Sequence, residues 1–259
     1  MHFKRLKTAS LLLGIHAAFL FPCPALAADN SSWQKFLDVY LKDGLVNYSA
    51  VKGHLDVFED VVFEFENLKQ EEYDRWSLDE KKSFWINTYN IEAVKLVLEH
   101  YPLKRSLGLS ALRYPANSIQ QIPDVWNQDA LTILGKTVSL NDIENEILRK
   151  EFQDPRIHFS IVCASLGCPV LRDEPYVAER LEEQLTDQVR IFVRDPQKVR
   201  YDPRANKLYV SPIFKWFEED FEKAGGVTAF LDKYVLPDMK SPDGVRIQWL
   251  DYDWSLNEQ

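Results

Sequence analysis

The segment HFSIVCASLGCP, running from His158 to Pro169, concentrates the chemistry available to this chain. Imidazole is the side chain that titrates near neutral pH unaided. A cysteine attacks carbonyl carbon as its thiolate, and a neighbouring imidazolium favours that form. Cys163 as nucleophile with His158 as base is therefore one reading of the segment. Cys163 and Cys168 can instead close a short disulfide loop containing Gly167, worth about 2 kcal/mol by the chain-entropy argument. A bonded Cys163 is not a resting nucleophile, so these two readings compete. One histidine and two cysteines supply three zinc ligands with no fourth nearby, so no metal or other cofactor is assigned. Two inert buried thiols are the remaining reading.

A thiol–imidazole pair also needs a third polar group to hold the ring in one tautomer. Glu144, on the element just before the segment, is the first candidate. Asn87 and Asn90 are the others, placed also to contact a substrate or a developing oxyanion. The geometry raises one objection. IHFSIVC reads as a strand apolar on both faces, and the odd spacing of His158 and Cys163 puts their side chains on opposite faces of an ideal strand. The small residues Ala164, Ser165 and Gly167 allow the chain to turn there.

The elements that must position these residues alternate between helical and strand-like patterns. SLDEKKSFWINTYNIEAVKLVLEHYP is the clearest helix, opened by a Ser77–Glu80 capping box and stopped before Pro102. Ser31 to Leu41 and Leu55 to Leu68 are amphipathic. LTILGKTVSL predicts a hairpin turning at Gly135-Lys136, after which Ser139 caps a short helix carrying Glu144. A long helix is expected from Pro175, a hairpin around Pro203 to Asn206, a helix over FKWFEEDFEKAG and a last strand over VRIQWLDYDW. Among the aromatic residues, Trp85, Tyr89, Trp126, Trp216 and Trp249 are candidates to line a groove, whereas Phe214, Phe217 and Phe221 are spaced as core. The fold class is α+β: a single domain, residues 28–259, of several helices packed on a small, mainly antiparallel sheet.

Residues 1–27 have the three parts of a secretory signal peptide: Lys4, Arg5 and Lys7, an apolar stretch from Leu11 to Phe21, and Ala25-Leu26-Ala27. The apolar stretch is about half of what spans a bilayer. The expectation is an exported protein, periplasmic in a Gram-negative cell and otherwise secreted or on the cell surface, without stable membrane insertion once the leader is removed. Removal takes three basic residues and no acidic ones, making a net charge of −9 more negative still. That balance argues against nucleic acid as a partner, which needs a basic face. A small-molecule, peptide or protein substrate is left open.

GLVNY, FWINTYNIEAVKLVLEHYP, LNDIENEILR, DPRIHFSIVCASLGCP and SPIFKWFEEDF together resemble the family known as domain of unknown function 547. The resemblance implies no activity. It draws Asn87, Asn90, Glu144, His158, Cys163, Ser165 and Cys168 into one candidate site, with Ser165 joining the two asparagines as a substrate contact. Such parts would suit a Cys–His–Glu hydrolase or acyltransferase acting on amide or acyl bonds, similar in character to papain or transglutaminase enzymes. Here His158 precedes Cys163, the reverse of the usual order in those enzymes. The alternative is a non-catalytic binding or assembly module whose Cys163–Cys168 bridge is structural.

Overall fold

The computed structural model describes residues 29–234 and 244–259. The expected signal peptide, residues 1–27, lies outside the described residues. No helix among the described residues is long and apolar enough to cross a membrane.

The fold is organised around the helix Leu78–His100. Its start is fixed locally: the Ser77 hydroxyl accepts from the Glu80 amide at 3.2 Å, and the Glu80 carboxylate accepts from the Ser77 amide at 2.6 Å. From Ser83 to Leu98 the helix is buried on nearly every side, with only Lys95 interrupting. It is therefore a central core helix rather than a surface helix with one apolar stripe. Burial all round forces its polar residues Asn87 and Asn90 to find partners inside the protein.

Helices Ser31–Tyr40 and Leu55–Glu66 pack Trp33, Phe36, Phe58 and Phe65 into the same core. Short hairpin β1–β2, Leu41–Lys42 with Leu45–Val46, joins it from one side. A second hairpin pairs β3, Leu131–Ile133, with β4, Lys136–Val138. Its turn is Leu134-Gly135, one residue earlier than the sequence suggests, because Lys136 is the partner of Ile133. Both turn residues have positive φ, 52° and 74°, as a two-residue turn of this hand requires. Ser139 and Asp142 then cap each other, and Asp142–Phe152 follows as a π-helix carrying Glu144 in its first turn.

The His158 segment is not a strand. Pro155–Phe159 forms a 3-10 turn capped by Asp154, and Ser160 to Cys163 has no regular structure. Its backbone partner is the Asn90 side chain, which donates to the Ser160 carbonyl at 3.0 Å and accepts from the Val162 amide at 2.8 Å. An apolar run without alternation identifies burial but not conformation. Ile157, Ile161 and Val162 point into the first core, and Phe159 into a second one.

That second core is built from Phe159, Phe192, Phe214, Phe221 and Phe230. Its helix Leu181–Arg194 begins well after Pro175; Gln184 reaches back to bond the Pro175 carbonyl and the Val177 amide. FKWFEEDFEKAG is not one helix but two short ones, Ile213–Trp216 and Glu218–Glu222, separated at Phe217. β5, Val199–Asp202, pairs antiparallel with β6, Lys207–Val210, and β7, Arg246–Trp249, adds in parallel to β6. The domain is α+β, with its strands divided among two hairpins and this three-stranded sheet rather than gathered in one.

From Tyr252 the chain leaves this sheet and straps the cysteine loop to the first core. The Gly167 amide donates to the Asp253 carbonyl at 2.7 Å, and the Leu166 amide to Ser255 at 2.8 Å. Asn257 donates to Ala164 and accepts from Val46.

Candidate functional site

The two cores leave a cavity of about 170 Å³ at their seam. Tyr89 of the central helix, Glu144 of the π-helix, His158, and the paired Cys163 and Cys168 line it. Trp216 and Phe217, from the break between the two short helices, and Tyr252 and Trp254, from the strap, complete its lining. Five segments distant in sequence thus meet at one opening.

His158 is the most constrained group. Its imidazole lies flat on Phe217, ring centroids 3.9 Å apart at 17°. Nε2 lies 2.8 Å from Asp220 Oδ2, so the carboxylate accepts and Nε2 carries the proton. Asp220 also receives Arg149 Nε at 2.6 Å. The hydrogen bond from His158, helped by Arg149, outweighs burial and holds the Asp220 carboxyl well below the usual range. Nδ1 is buried and has no hydrogen-bond partner. Glu144 Oε1 faces Nδ1 at 3.7 Å, beyond hydrogen-bond range. The group that holds the ring is therefore Asp220, which the sequence reading did not include, while Glu144 stands across the other nitrogen.

Cys163 and Cys168 are at disulfide distance, Sγ to Sγ 2.25 Å. Cys168 is buried and Cys163 partly open to the cavity. The Tyr252 hydroxyl touches both sulfurs, at 3.3 and 3.0 Å. Disulfide sulfur has no proton to give, so Tyr252 donates. Burial, followed by the charge of Glu144, pushes the Tyr252 phenol up, which keeps it a neutral donor. The Cys163 amide points at Cys168 Sγ at 3.0 Å. Ala164 turns the chain with φ 54°. Ser165 is buried, its hydroxyl on the Cys163 carbonyl at 3.3 Å, so it braces the loop from behind.

Asn87 and Asn90 do not line the cavity. Asn87 is bonded both ways to the Tyr176 backbone, 2.8 and 2.9 Å. Asn90 clamps the backbone between His158 and Cys163 as described. Each occupies buried main chain that would otherwise lack partners. Of the aromatic candidates, Tyr89, Trp126 and Trp216 line the cavity. Trp85 donates to Tyr73 Oη, Trp249 packs beside the second core, and Phe217, expected as core, forms cavity wall under His158. Among the described residues no group of three or more His, Cys, Asp or Glu side chains converges to hold a metal ion.

Residues 73–193 match the model of a family described as "Protein of unknown function, DUF547". That stretch, just under half of the chain, is similar to the DUF547 family. No curated protein and no solved structure matches. The matched stretch contains Asn87, Asn90, Glu144, His158, Cys163, Ser165 and Cys168. GLVNY and SPIFKWFEEDF fall outside it. So do Asp220, Trp216, Tyr252 and Trp254, which means that the second half of the cavity is supplied by chain beyond the family match.

Proposed function

We propose that the cavity is the site of a cysteine-dependent hydrolase or acyltransferase acting on amide or acyl bonds, with Cys163 as nucleophile and its bond to Cys168 a masked form. The observation that carries this reading is the unpartnered Nδ1 of His158, in a cavity it shares with Cys163 while Asp220 holds Nε2. In the neutral ring that hydrogen bond leaves the lone pair on Nδ1, the nitrogen a base must use. A dithiol reductant first opens the bridge, becoming a disulfide as Cys163 and Cys168 become thiols. His158 Nδ1 then takes the Cys163 proton, sulfur bonds to the substrate carbonyl carbon, and the proton passes to the leaving nitrogen or oxygen as that bond breaks. Water or an acceptor nucleophile releases the acyl group and restores the thiol. Tyr252 Oη, already donating to sulfur, stabilises the thiolate. The signal-like residues 1–27 support an exported protein, in the compartment where a bridged resting state persists.

The test is alkylation of Cys163 across pH. Unreduced protein is expected not to label. After reduction, Cys163 is expected to label with a midpoint well below the ordinary thiol value of about 8.5, and His158→Ala or Asp220→Asn to move that midpoint up. A reduced Cys163 with an ordinary midpoint in all three proteins overturns the reading.

The bridge itself favours a second reading: a non-catalytic binding module in which Cys163–Cys168, Tyr252 and the strap are a structural clasp. In that case replacing both cysteines lowers stability and leaves ligand binding intact.

A further inference from the structure

We propose that this cavity is a subsite for a side-chain cation, an ammonium or guanidinium carried by a peptide-like substrate. The proposal rests on the reading of Cys163 only for where the scissile bond lies; the cation is argued from the cavity walls.

The first argument is charge. No lysine or arginine is among the described residues lining the cavity, and the carboxylate that lines it is Glu144. Arg149, which shares Asp220 with His158, is already engaged: its Nε is on Asp220, its Nη1 on Asn145, and its guanidinium lies over Phe217 at 5.1 Å. With His158 neutral and the cysteines bridged, Asp220 is matched by Arg149 and by the exposed Lys223 at 4.0 Å, whereas Glu144 has no lysine or arginine ion-pair partner among the described residues. With Cys163 as thiolate and His158 as imidazolium, those two cancel and Glu144 again remains as the carboxylate facing the cavity. A monocation completes the site in either state, and an anion is repelled in both. The acidic balance of the whole chain acts in the same direction at longer range.

The second argument is the aromatic lining that shares the cavity with Glu144. Trp216 stacks on Trp254 at 5.7 Å and tilts against Tyr252 at 4.8 Å, and Trp126 leans on Trp254 at 6.4 Å. Trp216 remains 47 % exposed, a large apolar surface left open at the mouth. Aromatic faces attract a desolvated cation through their quadrupole, and several such faces lining one cavity with a carboxylate make a binding site for alkyl cations. A sugar ring would also stack on tryptophan, but its hydroxyls need several polar partners. The cavity offers few: Tyr252 Oη is already directed to sulfur, and the wall around Trp216, Phe217, Ile161 and Ile213 is apolar.

The experiment is a titration of the unreduced protein, in which no thiol chemistry can occur, followed by tryptophan fluorescence and proton NMR. The probes are Nα-acetyl-lysine methylamide, its neutral isostere Nα-acetyl-norleucine methylamide, and Nα-acetyl-glutamate methylamide. The lysine probe is expected to bind on the order of tenfold tighter than the norleucine probe, with the glutamate probe weakest. Glu144→Gln is expected to remove that preference. Trp216→Ala, at a half-exposed position, is expected to weaken the lysine probe several-fold. Equal or tighter binding of norleucine, a preference that survives Glu144→Gln, or no binding of any probe overturns the proposal. Cation preference combined with an unreactive reduced Cys163 would leave this subsite standing and remove the enzymatic reading. A reactive Cys163 without cation preference would do the reverse.

Discussion

A β-carbon on Gly167 would stand 2.7 Å from the Tyr252 ring and 2.8 Å from the Asp253 carbonyl oxygen. The cysteine loop and the strap are thus in contact at the closest approach that two backbones allow, and Gly167 sits between the two cysteines in sequence. Its amide, donating to Asp253, draws the strap down and brings Tyr252 over the sulfurs.

Gly167→Ala is therefore expected to destabilise the protein by about 1–3 kcal/mol, the usual cost of overpacking a rigid site. The measurement is a denaturant midpoint at unchanged slope. Measured in a Tyr252→Ala background, Gly167→Ala is expected to cost less but still to cost something, because the Asp253 carbonyl still stands in the way. No cost relative to Tyr252→Ala alone would assign the whole clash to the ring.

How far this site can be read from the sequence follows from which interactions are local. The Ser77–Glu80 capping box has a fixed spacing, so the central helix is legible from its first residue. The β3–β4 hairpin is legible as a hairpin, and its turn is misread by one residue because Leu134 takes a positive φ that its residue type does not advertise. His158, Cys163 and Cys168 stand out because they are rare reactive types in one segment. The His158 run reads as a strand because its residues are apolar, while the Asn90 clamp that replaces strand pairing comes from 70 residues away. Asp220 and Tyr252 are illegible for the same reason. They lie 62 residues from His158 and 84 from Cys168, and one acidic residue among many carries no sign of its distant partner.

Asp220 has a pH signature that can be checked. Its folded carboxyl is held below the unfolded value, chiefly by His158 and then by Arg149. The folded state therefore binds fewer protons than the unfolded one as the pH falls below about 4. The stability that Asp220 confers is fully present above that pH and drains away as acid titrates the folded group. Asp220→Asn is expected to be less stable at neutral pH and to show a shallower acid limb in a stability–pH curve measured by urea unfolding. Superimposable acid limbs in the two proteins would show that Asp220 is not held ionised by the imidazole.

Glu92 carries the opposite sign. It lies fully buried in the central helix, and neither carboxyl oxygen has a hydrogen-bond partner. The nearby Ala130 amide is directed to the Val138 carbonyl. Burial first, then the charge of Asp142, pushes Glu92 up to about 9. The folded protein keeps this proton through a range where the unfolded chain, ionising near 4.5, has lost it. Stability falls as pH rises across that window, and by neutral pH the accumulated loss is on the order of 3 kcal/mol. Glu92→Gln cannot ionise, so its stability relative to wild type is expected to increase steadily from pH 5 to about 9 and then level off. Urea unfolding of both proteins across that range measures the difference directly. Parallel curves would mean that Glu92 is already charged in the folded protein, and the central helix would then have to supply a cation partner for it, with Lys95 the nearest one on the same helix.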